Sequence, residues 1–186
     1  FPPTHLAEHA LEVHLPFHQE LLGDFKLVPI VVGETPPSLV AEVLKKLWGG
    51  PETLIVISSD LSHFLDYGAA QAIDQRTCQA ITALDPSKIE GGGACGRFPV
   101  GGLLQLAKAR GMTVETIDLK NSGDTAGSKD RVVGYGAWAF FEPTAAKLTM
   151  SPNITIRRKD TGTQQPSGID FEAVTKQLLA DHGSRL

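Results

Sequence analysis

Leu54-Ile55-Val56-Ile57-Ser58-Ser59-Asp60-Leu61-Ser62-His63 is the stretch whose reading decides the fold. An unbroken apolar run, three of its four residues β-branched, predicts a strand buried on both faces. It passes directly into a polar turn, and α/β sheets gather their ligands at the carboxyl ends of such strands. Asp60 and His63 stand three residues apart in that turn. The carboxylate can therefore orient or charge the imidazole, which can serve as acid or base near neutrality. A helix-capping Asp beside a surface His also accounts for the spacing.

Upstream, Leu27 to Val32 is a second solidly apolar run, ended by Gly33, and predicts another buried strand. Between the two, Thr35-Pro36-Pro37-Ser38 opens a helix that reaches Trp48 and stops at Gly49-Gly50. Residues 6–23 have helical periodicity through Leu6, Ala10, Val13, Phe17 and Leu21; Pro16 makes this one kinked helix or two short ones.

Downstream, a helix from about Asp66 to Leu84 is followed by a turn at Asp85-Pro86 and a glycine-rich run, Gly91 to Gly96. A helix with Pro99 in its first turn then ends at Gly111. Thr113 to Leu119 alternates like a strand with one wet face, Asn121 to Asp130 is a polar loop, and Arg131 to Phe141 is a last strand. The small residues Gly134, Gly136, Ala137 and Ala139 imply that something packs closely on one of its faces. Strands alternating with helices predict an α/β fold: a mixed, mostly parallel sheet with helices on both faces.

The 186 residues suffice for one buried core with an appendage. No run of about 18 apolar residues occurs, so no membrane association is expected. Residues 1–143 carry net charge −6 and residues 144–186 carry +2. An acidic main segment without a basic stripe predicts no nucleic-acid partner. The opening Phe-Pro-Pro-Thr lacks both an initiator Met and the order of a signal peptide, so a fragment or processed product is expected. Cys78 and Cys95, the two cysteines, fall in a helical pattern and in a glycine-rich turn; two free thiols in a reducing, cytoplasmic setting are expected.

Cys95 lies between Ala94 and Gly96, just ahead of a helix whose free N–H groups favour a thiolate, both nucleophile and soft metal ligand. A small turn residue is the plainer reading. His5/His9 and His14/His18 are each spaced i, i+4 but lack the His-Glu-x-x-His pattern. Glu8, His9, Glu12 and His14 read instead as a polar face that borders a site or packs on another segment.

Glu8-His9-Ala10-Leu11-Glu12-Val13-His14-Leu15-Pro16-Phe17, Val56-Ile57-Ser58-Ser59-Asp60-Leu61-Ser62-His63-Phe64 and Cys95-Gly96-Arg97-Phe98-Pro99-Val100-Gly101 occur in order, followed by Ser122-Gly123-Asp124 and Val133-Gly134-Tyr135. This ordered set resembles the MEMO family, also called AmmeMemoRadiSam system protein B, over about residues 5–143. The resemblance implies a class III extradiol dioxygenase-like fold whose N-terminal half is absent, residues 1–143 being the C-terminal part of a MEMO-type domain. Those dioxygenases hold Fe(II) with two His and a carboxylate. By the same resemblance Cys95 matches a metal-site cysteine, His63 the group that faces the metal as acid or base, with Asp60 beside it. The family's two upstream histidine ligands have no counterpart here.

Residues 144–169, rich in Thr, Ser, Pro, Gln and Gly, read as a linker, and 170–186 as an amphipathic helix. That helix is either a frayed end or the opening of an AMMECR-type domain. The resemblance implies a dioxygenase-like metal-dependent oxidoreductase holding Fe(II) or copper in the full-length protein, with weak or no binding by this chain alone. Its alternative is a pocket for anionic or phosphotyrosine-type peptides, to which Arg97, His63 and His9 would contribute. A role beside radical-SAM and AMMECR-type partners follows from the system's name. An apolar face is expected to stand uncovered near residues 5–33.

Overall fold

A computed structural model of the chain describes residues 5–125 and 127–143. The linker expected over 144–169 and the helix over 170–186 lie outside the described residues. The fold is mixed α/β, with four α-helices and a three-stranded sheet among the described residues. The chain divides into two compact units: the described parts of the first are residues 5–31 and Trp48–Val56, and the second takes Val32–Leu47 and the described residues from Ile57 onward.

In the first unit, α1 (Ala10–Leu22) runs through Pro16 as one helix and buries none of its residues. Leu6, Val13 and Phe17 are exposed, as are Phe25, Leu27, Val28, Ile30 and Val31 beyond it. His14 and His18 stack with ring centroids 5.9 Å apart, and Phe25 meets His18 edge-on. Burial, and then the nearby His14, lower the pKa of His18 below the ordinary imidazole value.

In the second unit, α2 (Pro37–Leu47) and α4 (Arg97–Arg110) pack against each other. Their approach depends on Gly101 and Gly102: a Cβ on Gly102 would overlap the side chain of Val40, and one on Gly101 would press on Pro37. Helix α4 begins two residues before Pro99, which sits in the first turn where its missing N–H costs nothing. Gly111 ends it in the left-handed conformation at φ 69°. Helix α3 (Tyr67–Thr82) is capped by Asp66, whose carboxylate accepts the Ala69 N–H at 3.0 Å. It lies on β2 (Thr113–Asn121) and β3 (Val132–Phe141), burying Ala70, Thr77, Cys78 and Ile81. Leu61, Leu104, Ala107 and Val132 complete this core.

The sheet corrects the expectation of mostly parallel strands. It runs in the order β1-β3-β2, with both pairings antiparallel, and β1 is the short strand His63–Leu65. The two runs expected as buried strands, Leu27 to Val32 and Leu54 to Ile57, belong to no sheet among the described residues. Leu27, Val28, Leu54 and Val56 are each more than 40% exposed. An unbroken apolar run specifies a demand for cover on both faces; it does not supply the neighbours that meet it. The expected apolar face near residues 5–33 is uncovered in this structure. No helix among the described residues is long and apolar enough to cross a membrane.

The small residues of β3 do mark close packing. A Cβ on Gly134 would overlap the Asp74 carboxylate, and one on Gly136 the Trp138 ring.

Candidate functional site

Two loops of the second unit meet at the position the sequence singled out. Cys95 N–H donates to the Asp60 carbonyl at 3.1 Å, and Asp60 N–H donates back to Cys95 Sγ at 3.2 Å. Ser59 completes the junction: its hydroxyl donates to the Asp60 carbonyl at 2.6 Å and accepts the Gly96 N–H at 2.9 Å. Gly96 is required here, because any Cβ would press to within 2.7–2.9 Å of the Ser59 side chain and the Ser58 carbonyl. The glycines around Cys95 thus serve backbone contact between loops. The thiol itself is exposed, with Ser59 Oγ 3.8 Å away. The sulfur thus receives an N–H at a point just ahead of the first residue of α4.

His63 is brought to the same junction. Its Nε2 lies 3.6 Å from Asp60 Oδ2, with the two side chains 35% and 50% exposed. Asp60 caps no helix, since Asp66 takes that role for α3. The histidine stands at the start of β1, opposite Val133 of β3. The next residue, Phe64, has φ 57°, a left-handed conformation that costs a bulky side chain about 1–3 kcal/mol. Its ring stands edge-on to His63, with the Arg131 guanidinium 5.0 Å from the ring centre.

Arg97, the first residue of α4, places its guanidinium 4.7 Å over the Phe98 ring and enters no ion pair among the described residues. His9 belongs to the first unit, where its Nδ1 is 2.7 Å from Glu12 Oε1 and both side chains are well exposed. The cluster of Asp60, His63 and Cys95 is built by the second unit alone.

Asp74, and the part Ser59 plays in joining the two loops, escaped the reading of the sequence. Asp74 lies within α3, is 2% exposed, and accepts the Ser62 N–H at 2.9 Å. A signal was available: Ala70, Asp74 and Cys78 fall at i, i+4, i+8 on one helix face, and a carboxylate on a buried stripe requires a donor. Nearby, the Tyr67 hydroxyl donates to Asp124, which also accepts the Asn121 N–H at 2.9 Å. This bond raises the Tyr67 pKa above the ordinary phenol value. Burial pushes the Asp124 carboxyl upward, but Tyr67, the Asn121 N–H and the charges of Lys129 and Lys120 together hold it below the ordinary carboxylate value.

As a metal centre the cluster is incomplete. Among the described residues no group of three or more His, Cys, Asp or Glu side chains is arranged to hold an ion. Cys95 offers one exposed soft donor, and His63 and Asp60 face each other.

A sequence profile of the Memo-like proteins matches residues 2–139. A MEMO1 family protein of Thermoplasma acidophilum is 32% identical over 142 residues, which is 72% of this chain and 53% of that protein. One from Archaeoglobus fulgidus is 31% identical over 148 residues, covering 74% and 56%. Another, from Saccharolobus solfataricus, is 34% identical over 150 residues, covering 74% and 53%. The chain therefore spans about half the length of these curated relatives. A profile match over most of the chain, with relatives above 30% identity, decides the assignment: the chain belongs to the Memo-like protein family.

Proposed function

We propose that the chain carries the Cys95 side of a metal-dependent redox site, with Cys95 as a soft ligand for iron or copper and His63, held by Asp60, as the proton-handling group. The observation that supports this reading is the junction itself: Cys95 Sγ accepts the Asp60 N–H, and the carboxylate of the same Asp60 lies beside His63. Further ligands would have to come from groups outside the described residues, so the dioxygenase-like part of the reading rests on the family resemblance. Cys95 would supply a polarizable donor, and His63 would take or return a proton at Nε2 or Nδ1, with Asp60 beside its ring. The two free thiols fit a reducing, cytoplasmic compartment. Radical-SAM and AMMECR-type proteins remain the partners we propose.

The Arg97 guanidinium, stacked on Phe98 and without an ion pair among the described residues, favours a second reading. It would serve an anionic or phosphotyrosine-type peptide, with His63 beside it and no catalysis. Metal analysis of the full natural polypeptide separates the two. Stoichiometric iron or copper that disappears on Cys95→Ser supports the redox site. Unchanged metal, or none in either form, sinks it, and binding of a phosphotyrosine peptide lost on Arg97→Ala would establish the alternative.

A further inference from the structure

His63 stands half-buried on a three-residue strand, and a short strand at the edge of a sheet does not hold a side chain by itself. What holds it lies beneath. Ser62, the residue before it, is fully buried. Its N–H donates to Asp74 Oδ1 at 2.9 Å, and its carbonyl accepts the Gly134 N–H at 2.8 Å. Leu61 N–H donates to the Gly134 carbonyl at 2.9 Å. The Asp74 carboxylate occupies the space where a side chain on residue 134 would stand, so the missing Cβ of Gly134 is what admits it. On the other side of His63 the backbone turns through the left-handed Phe64. Such a conformation persists only where its surroundings over-determine it.

We propose that Asp74 is a positioning residue for His63: by gripping the Ser62 N–H from within α3, it fixes the Phe64 turn and keeps the imidazole beside Asp60. A buried carboxylate is a strong and directional acceptor, and its partner N–H lies one residue from the histidine. Gly134 belongs to the same device. The inference rests on reading Asp60, His63 and Cys95 as the working cluster; metal loss on Cys95→Ser tests that reading, whereas the measurements here involve no metal.

The experiment is NMR on the chain as it stands. A positive φ brings the amide proton of a residue close to its own Hα, so Phe64 gives a strong intraresidue cross-peak in the parent protein. In Asp74→Ala the Ser62 amide exchanges about tenfold faster or more, the Phe64 cross-peak weakens to that of an ordinary extended residue, and contacts between the His63 ring and Asp60 are lost. Asp74→Asn, which retains an acceptor oxygen, restores the cross-peak. Asp124→Ala, which removes a carboxylate from elsewhere in the same unit, leaves it intact. Continued protection of the Cys78 thiol shows that each variant is folded. If Asp74→Ala does not fold, Gly134→Ala makes the same test by displacing the carboxylate. The proposal is overturned if a folded Asp74→Ala or Gly134→Ala keeps the Phe64 signature and the His63–Asp60 contact. It is equally overturned if asparagine fails to restore them, or if Asp124→Ala abolishes them to the same extent.

Discussion

Ser59 holds the two loops of the cluster together through one hydroxyl that donates to Asp60 and accepts from Gly96. Ser59→Ala leaves the part-buried Gly96 N–H without its acceptor. It should destabilise the second unit by about 1–2 kcal/mol, read as a lower urea midpoint with unchanged slope. The serine was legible as part of a polar turn, but nothing in its position along the chain shows that its partner is 37 residues away. Asp60 and His63 were legible because they follow directly on an apolar run, three residues apart, and Cys95 because it is one of two cysteines and sits in a glycine-rich turn. Their meeting was not, because it depends on Gly96 allowing backbone to approach backbone. His9 and Arg97 were legible as charged or polar groups near motifs. The structure gives His9 a local partner, Glu12, and lays Arg97 on Phe98.

Elements came through the sequence unevenly, and the reason is what each needs to form. Helices α2, α3 and α4 carry their own signals: Pro in the first turn, Asp66 as cap, Gly111 as stop. Strands β2 and β3 show β-branched and aromatic content and small residues. Strand β1 has no such signal, since three residues hold no period and His63 reads as loop. The apolar runs at Leu27 and Leu54 have strand character but lack a ladder among the described residues, and a ladder is a property of two segments. Helix packing yields a direct test. Gly102→Ala places a methyl against Val40 and should cost about 1–3 kcal/mol of stability, whereas Gly92→Ala, with nothing within 4 Å, tests only its φ of 87°. Thermal melting of the two variants separates crowding from backbone preference.

At the scale of the whole molecule, three of the described groups whose shifts have a known direction, Asp124, Tyr67 and His18, set separate arms of the pH response. The Asp124 carboxyl is held below its ordinary value, so its contribution to stability is full above the unfolded carboxylate pKa and is lost as pH falls through the folded one. The Tyr67 hydroxyl is raised, so its contribution is full below the unfolded phenol pKa of about 10 and is lost as pH rises through the folded value. Urea midpoints against pH should therefore fall at both extremes, and Tyr67→Phe should remove the alkaline fall. His18 adds a third arm in the first unit. Its depressed pKa makes neutral imidazole the favoured form, so stability there is present above the unfolded His value and is lost as pH falls through the folded one. Chemical shifts of Phe25 should report that loosening on acidification, and His18→Gln should abolish it. The exposed apolar run at Leu27, Val28, Ile30 and Val31 carries a further expectation. Sedimentation should show concentration-dependent association of the chain, reduced by Val28→Lys with Ile30→Lys; an unchanged profile would show that these side chains do not drive it.

The unequal burial of the two cysteines has a practical corollary. Cys78 is enclosed beside Thr116 while Cys95 faces solvent, so a thiol-directed fluorophore would attach at one position without any engineering. That position adjoins Asp60 at the loop junction, which makes the unaltered sequence a ready optical probe of whatever docks there.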